Sequence, residues 1–443
     1  MHPLFALLLL STPTIIVQNP SGQSVEVAAQ RLVVGWEANT LFTASPNETT
    51  LFFGSGGERI TTIELPTGVD LHQERERLSA LEGVAWVEYD NLNRLHALPN
   101  DPTWGDQWTL QVMNMETAWD IETGDSSIVV AVLDSGFDLT NTGIGYAAWD
   151  PATELIDFGN NDGDPTWTTA SLCNPGAFHG TATAGLIASN GNDGQGITGV
   201  GWGLNVLPVK VMRDSDCGIW DSDWTAALNW IVDNRPDVRV VNISFGSEGT
   251  GSLQSAAIEK AWNGGVLVVA SAGNCGDPAT WQDNGCTTLN PLFFPASLDH
   301  VIAVASTDED DGRSLFSEHG NWIDLSAPGG FSSPIGKPMP VCGLSPGAPG
   351  WGPIATDITG SDGYNTGGSG PGSLSQACDP SGGRYYSFFG TSASAPYLSG
   401  LAALVLSKTP SLTNQEVWDR LLGTARIPAG WNSSEMGVGV ADG

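Results

Sequence analysis

Val129-Val-Ala-Val-Leu-Asp134-Ser-Gly136 is the stretch that decides the fold. Five apolar residues in succession leave the strand no polar face, so it must be covered on both sides, as strands of parallel sheets are. Asp134 then stands where the strand emerges, and in open parallel sheets functional groups gather at such carboxyl ends. A carboxylate there can accept an N–H from an imidazole; taken alone, it is as readily a turn former.

Outward from this strand, further β-branched runs occur at Val206–Met212, Val238–Ile243, Val266–Ala270 and Val301–Ala305, interleaved with helical patterns near 182–189, 223–233, 252–264, 393–407 and 414–424. Alternation of this kind predicts an α/β fold: a mostly parallel, twisted sheet with helices on both faces. Residues 329–387 interrupt it with Gly, Pro and Ser and read as a surface insertion clipped by Cys342 and Cys378, because an uncrosslinked loop of that length is unusual in a compact domain. Upstream, Arg31-Leu-Val-Val-Gly35 and Val84-Ala-Trp-Val-Glu-Tyr89 flank a charged helical stretch, His72–Leu81. That segment, residues 21–97, reads as a small α+β module, and the turn-rich Leu98-Pro-Asn-Asp-Pro102 opens a large domain, residues 98–443.

The chain has 443 residues, enough for a large core, with 16 Lys and Arg against 49 Asp and Glu, a net charge of −33. Only 15% of residues are charged, against about 25% in average domains, so the acidity comes from missing Lys and Arg more than from added carboxylates. Residues 98–443 hold 11 basic and 38 acidic groups, so the acidity belongs mainly to the large domain. With 40% hydrophobic residues, disorder of the whole chain is excluded. A surface this negative repels phosphate backbones and anionic headgroups, so neither nucleic acid nor a membrane surface is an expected partner.

The apolar run Pro3–Leu10 is too short to span a bilayer and reads as the core of a secretory signal over residues 1–20. The six cysteines, none in a CxxC pair, suit three disulfides of an exported, extracellular protein. Fifteen pairings are open. The neighbour pairing, Cys173 with Cys217, Cys275 with Cys286 and Cys342 with Cys378, is the expectation.

Three more stretches carry chemistry. In Phe178-His179-Gly-Thr181, followed by small and apolar residues, His179 opens a helix; only three histidines occur after residue 97, and imidazole is the side chain that takes and returns protons near neutral pH. His300 and His319 have no such context. In Phe389-Gly-Thr-Ser392-Ala-Ser-Ala-Pro396 a serine hydroxyl lies beside free helix N-terminal amides, which favour developing negative charge. In Val266-Leu-Val-Val-Ala-Ser-Ala-Gly-Asn274 an amide donor follows directly on a strand, as acyl transfer needs for its oxyanion. Each stretch alone is weak: a capping His, a Ser N-cap, a Gly-Asn turn. The ordered set Asp134, His179, Asn274, Ser392, each at a strand end or helix start, is specific.

That set resembles the subtilisin-like serine proteases, in their thermitase-like branch, whose triad runs Asp, His, Ser along the chain. The similarity extends over most of residues 98–443, including Asn100-Asp-Pro102, Ser244-Phe-Gly246, Ser326-Ala-Pro-Gly329 and Gly437-Val-Gly-Val-Ala441. The resemblance implies a secreted serine endopeptidase acting on proteins or peptides as a monomer, with Ser392 as nucleophile, His179 as general base, Asp134 orienting it, and Asn274 in the oxyanion hole. It implies that residues 21–97 are an inhibitory propeptide, with Val87-Glu-Tyr-Asp90 near its end, which the precursor removes by cutting itself between about 94 and 98. Substrate would lie as an added strand between residues 218–222 and 244–246, touching Gly218, Ser222, Ser244, Phe245, Gly246 and Gly273, with Trp224 in an outer subsite. The carboxylates of Asp216, Asp221 and Asp223 near that edge predict a preference for basic residues in outer subsites.

Structural Ca2+ is the implied ion. Asp157-Phe-Gly-Asn-Asn-Asp162-Gly-Asp164 resembles a calcium loop of the thermitase-like branch and is the preferred position; Asp101 with the Asn190-Gly-Asn-Asp193-Gly-Gln195 loop resembles another. Where relatives commonly carry Met after the nucleophile, this chain has Ala393, which cannot form a sulfoxide. The rival reading is a lipase or esterase built on Gly343-Leu-Ser345-Pro-Gly347. It fails on context, because no apolar strand feeds Ser345 and no histidine follows it.

Overall fold

The computed structural model describes residues 14–18, 24–38, 47–53, 58–91, 97–168, 173, 178–249, 251–282, 284–330, 352–358, 363 and 385–443. The run Pro3–Leu10, Cys342, Cys378, Ser345 and most of the expected insertion lie outside them. Two compact units are formed, Met1–Leu95 and His96–Gly443.

The first unit is a five-stranded antiparallel sheet with one helix. Its strands are β1 (Thr14–Gln18), β2 (Ser24–Trp36), β3 (Glu48–Phe53), β4 (Arg59–Glu64) and β5 (Val84–Asn91), ordered β1-β2-β4-β3 with β5 on β2. The helix α1 (Leu71–Ser79) starts where the Asp70 side chain accepts the Gln73 N–H, a standard N-cap. Leu71 and Leu78, seven residues apart and so on one helical face, are buried in a cluster with Val27, Leu32, Val34, Trp36 and Val87.

The second unit opens with two short helices, α2 (Trp108–Val112) and α3 (Met115–Trp119), and then builds the sheet. Strands β6 (Val129–Asp134), β7 (Asn205–Lys210), β8 (Val238–Ile243), β9 (Leu267–Ser271), β10 (Val301–Thr307) and β11 (Leu325–Pro328) pair in parallel in the order β11-β10-β9-β8-β6-β7. Helices α4 (His179–Ala188), α5 (Asp221–Asn234) and α6 (Ser252–Asn263) connect them; a two-stranded ribbon, β12 (Ile354–Thr356) and β13 (Tyr385–Ser387), precedes α7 (Thr391–Lys408), α8 (Asn414–Gly423) and α9 (Ser433–Met436).

Alternation along the strands sorts the core into two layers. Val130 and Val132 of β6, with Val240, Val269 and Val304, pack under α4 and α7; Ala131 and Leu133, with Val241, Val268 and Ala303, pack under α5 and α6. Every strand is therefore covered on both faces, which is why their sequences show no polar alternation. α7 begins at Thr391, ahead of the apolar pattern, because its first residues are polar and serve the site. Successive strands step one way from β6 to β7 and the other way from β8 onward, so the order reverses at β6. Crevices form at such a reversal, and Asp134 ends that strand.

Two disulfides are described, Cys173–Cys217 and Cys275–Cys286, both from the neighbour pairing. Among the described residues no helix is long and apolar enough to cross a membrane.

Candidate active site

Asp134 leaves β6 with its side chain 2% exposed. Its Oδ1 accepts the Ser135 N–H at 2.6 Å, and both carboxylate oxygens lie 3.0 Å from His179 Nδ1. Nδ1 is thus the protonated nitrogen, and the lone pair is left on Nε2. Burial lowers the imidazole pKa, but the charge of Asp134 and its hydrogen bond outweigh that and leave it above the ordinary value. This close approach of β6 and α4 requires Gly180: a Cβ there would lie 2.5 Å from the Gly136 carbonyl and 3.0 Å from Asp134 Cβ. The His179 ring stands edge-on to Phe388, centroids 5.0 Å apart, four residues before Ser392.

Ser392 sits in the first turn of α7, where backbone N–H groups have no helical partner. Its hydroxyl donates to the Ser244 carbonyl at 3.0 Å, while the Ser244 hydroxyl donates to the Ser392 carbonyl at 3.0 Å. Asn242 Nδ2 holds Ser244, and Ser399 holds Asn242, so a buried polar chain runs from β8 to α7. Asn274 follows β9; its Oδ1 accepts both the N–H and the hydroxyl of Thr391, at 2.9 and 3.0 Å. With Oδ1 fixed, Nδ2 is turned the other way, and an added Cβ on Gly390 would stand 3.3 Å from it. Gly390 has φ 122°, a conformation other residues avoid, so glycine is required twice over.

Ser392, Asn274 and Thr391 share one cleft of about 520 Å3 with Ser244, Phe245 and Gly246. Gly273 lines it too; Gly218 and Ser222 are not among its lining residues. Gly218 spends its N–H on Asp216 Oδ1 and its carbonyl on the Arg213 N–H, and the Ser222 hydroxyl donates to Asp223. Trp224 belongs to the core, 2% exposed and packed on Phe245, because it faces inward on α5; its neighbour Trp220 is exposed instead. The acidic edge is largely partnered: Arg213 grips Asp223 at 2.7 and 2.9 Å, Asp216 accepts from Trp220, and Asp221 accepts from Trp224 and Gln254.

Thr391, Glu248 and Glu318 escaped the sequence reading. Thr391 is the middle residue of Gly390-Thr-Ser392, and an acid in Leu315-Phe-Ser-Glu318 was the available signal for the last. The Glu318 carboxylate lies against Gly273, 2.8 Å from where a Cβ would be, and Oε2 accepts the Cys275 N–H at 2.8 Å. Oε1 meets no donor among the described residues, and burial pushes the group up to about 8.

The two expected cation loops differ. Asp157 is 1% exposed and paired: Lys210 Nζ, 2% exposed, lies 3.1 Å from it and 2.8 Å from Asp214, and Asn160 supplies two further donors, yet burial still raises the Asp157 pKa. Asp162 and Asp164 accept turn amides from Asp164 and Thr166. Asp101, by contrast, gathers the N–H groups of residues 192–195 around its carboxylate, and next to that loop lies a cavity of about 20 Å3 lined by Ser189, Asn190, Asp193, Gln195 and Thr142. The buried Ser189 hydroxyl has no partner among the described residues. Among those residues no three His, Cys, Asp or Glu side chains gather as a ready ligand set.

The sequence profile of the subtilase family matches residues 125–439. An extracellular basic protease of Dichelobacter nodosus is 28% identical over 94% of this chain, and the chain spans 65% of that protein's length. Thermitase of Thermoactinomyces vulgaris is 33% identical over 53% of this chain and 74% of its own. Among solved structures, one of proteases from Pseudoalteromonas arctica superposes with a TM-score of 0.58 at 29% identity, covering 78% of this chain and 97% of the other. The matched profile takes in the whole parallel sheet, Asp134 at the end of β6, His179 at the start of α4 and the start of α7, and on that footing the chain belongs to the subtilase family.

Proposed function

We propose that this chain is a secreted serine endopeptidase, made as a self-processed precursor. The observation that carries the reading is the clamp of both Asp134 oxygens on His179 Nδ1, together with a cleft whose lining includes both Ser392 and Asn274. In the proposed reaction Ser392 Oγ attacks the peptide carbonyl and its proton passes to His179 Nε2; Asp134 stays ionised and stabilises the imidazolium. Asn274 Nδ2 and the Ser392 N–H donate to the oxyanion. His179 then returns the proton to the leaving amine, an acyl-enzyme remains on Ser392, and water, activated by the same imidazole, releases the acid. The resting hydroxyl donates to the Ser244 carbonyl, so the first event is a rotation of Ser392 χ1.

Residues 21–97, which make up most of the first unit, are proposed as an intramolecular inhibitor removed by the large unit, which then works outside the cell as a monomer. A structural Ca2+ is proposed at the Asp193 cavity. Its occupants would be hard oxygens: the Asp193 carboxylate, the Asn190 and Gln195 amides and the orphaned Ser189 hydroxyl, in a space large enough for one water-sized guest. Bound there, the ion would brace the loop that follows α4; chelation lowers the melting temperature, and Asp193→Ala removes that dependence.

The decisive test is paired expression of the full chain and Ser392→Ala, with mass spectrometry and a casein assay. The wild type loses roughly its first 97 residues and digests casein, while the variant keeps its N-terminal unit and is inert. Identical processing in both, or casein hydrolysis by both, would remove Ser392 from the mechanism.

A further inference from the structure

The cleft that holds Ser392 must also hold the substrate side chain next to the attacked carbonyl, and its lining says what that side chain is. Among the described lining residues Glu248 alone is ionisable, since Cys275 and Cys286 are joined. Two aromatic rings, Phe245 and Phe293, supply apolar wall, and among the described residues no Lys or Arg lines the cleft. Glu248 is held in place: Oε1 accepts the Thr287 N–H, and Oε2 accepts the hydroxyls of Thr287 and Thr288. A carboxylate has about four acceptor positions, so these three donors leave room for a fourth. The Thr287 hydroxyl and backbone bonds keep the group below the usual carboxylate range, hence charged. The Cys275–Cys286 bridge closes the segment that brings Thr287 to Glu248. Behind the opposite wall Glu318 presses on Gly273, and the charge of Glu248 reaches it.

A fixed anion beside apolar wall fits a long aliphatic chain that ends in a cation. We propose that this cleft selects Lys or Arg as the residue preceding the cleaved bond, with Glu248 as the residue that determines the specificity. The proposal rests on the protease reading above and concerns the bond cut, not the outer subsites.

Peptide p-nitroanilides that differ only in carrying Lys, Arg, norleucine, Gln or Glu before the scissile bond test it, with the full chain as the enzyme source. Norleucine has the shape of the lysine stem without the charge, so the Lys-to-norleucine ratio of kcat/KM isolates the anion. That ratio is expected at about tenfold or more in the wild type and near one in Glu248→Gln. Because Glu248→Gln could loosen the Thr287 contacts, Glu248→Lys is the second variant: it should turn over the Glu substrate better than the Gln one, a gain that misfolding does not produce. A wild-type ratio at or below one, or a ratio unchanged in Glu248→Gln, overturns the proposal. Labelling by a serine-directed phosphonate separates the two levels. A chain that labels at Ser392 and cleaves norleucine peptides without favouring Lys loses only the selectivity; a chain that neither labels nor cleaves loses the protease reading and this inference with it.

Discussion

The two walls of the cleft are built in different ways. The wall with Asn274 and Ser392, like the Asp134–His179 pair outside the cleft lining, is made of strand ends and helix starts, each side chain held by hydrogen bonds to its neighbours. The wall with Glu248, Thr287 and Phe293 is made of loops, held by a disulfide and by one carboxylate. Rigid elements hold a fixed geometry, which chemistry needs; loops can vary without disturbing the sheet, which selectivity needs. In the proposed reading one wall sets the reaction and the other the choice of substrate.

The comparison is tested most severely on the first wall. Ser392→Ala should lower kcat/KM by about 10^4 to 10^6 with an unchanged circular dichroism spectrum. Asp134→Asn should lower kcat by about 10^4. It carries a sharper signature in pH: the general base works only when neutral, so activity falls as pH drops through the raised His179 pKa. Removing the Asp134 charge should move that acidic limb to lower pH, and a limb that stays put would mean His179 is not the group titrating. Asn274→Ala should cost about 10^2 to 10^3 in kcat with little change in KM; an undiminished kcat would place the oxyanion elsewhere.

Smaller effects are expected behind the first wall and on the second. Glu318 is raised to about 8 in the folded chain, against 4.5 as its ordinary value. The folded state therefore binds its proton more tightly, and the stability this gives is present below about pH 4.5 and lost as pH rises toward 8. Glu318→Gln keeps an acceptor for the Cys275 N–H without the charge. It should leave stability at pH 4 nearly unchanged and raise it above pH 8 by on the order of 5 kcal/mol, read by chemical denaturation. Equal stability of the two proteins at alkaline pH would show that the group ionises freely. Replacing Cys275 and Cys286 together with Ser should raise KM a few-fold and spare kcat, because only the loop wall relaxes; a fall in kcat instead would mean that the two walls are coupled.

The same division explains what was legible in the sequence. Asp134, His179, Asn274 and Ser392 each sit next to a strong local signal, an apolar strand or a helix of small residues, so the fold and the proposed catalytic set could be read together. Thr391 was invisible because its role, turning the Asn274 amide, joins residues 117 positions apart. Glu248 and Thr287 meet across a separation of 39, and Glu318 reaches Cys275 across 43. Trp224 was placed at the substrate edge because its position on α5 follows that edge in sequence; the helix turns it inward instead. The residues of the Asp157 loop were read locally as a cation site, and nothing local announces that Lys210 Nζ, from β7, lies 3.1 Å from Asp157.

That lysine has one more consequence. A cation that diffuses in from the medium stabilises a fold according to its concentration, by mass action, and is lost on dilution. Lys210 is tethered by its own backbone on β7, so the positive charge between Asp157 and Asp214 has no dissociation constant. This corner of the molecule keeps its counterion however dilute the surroundings become.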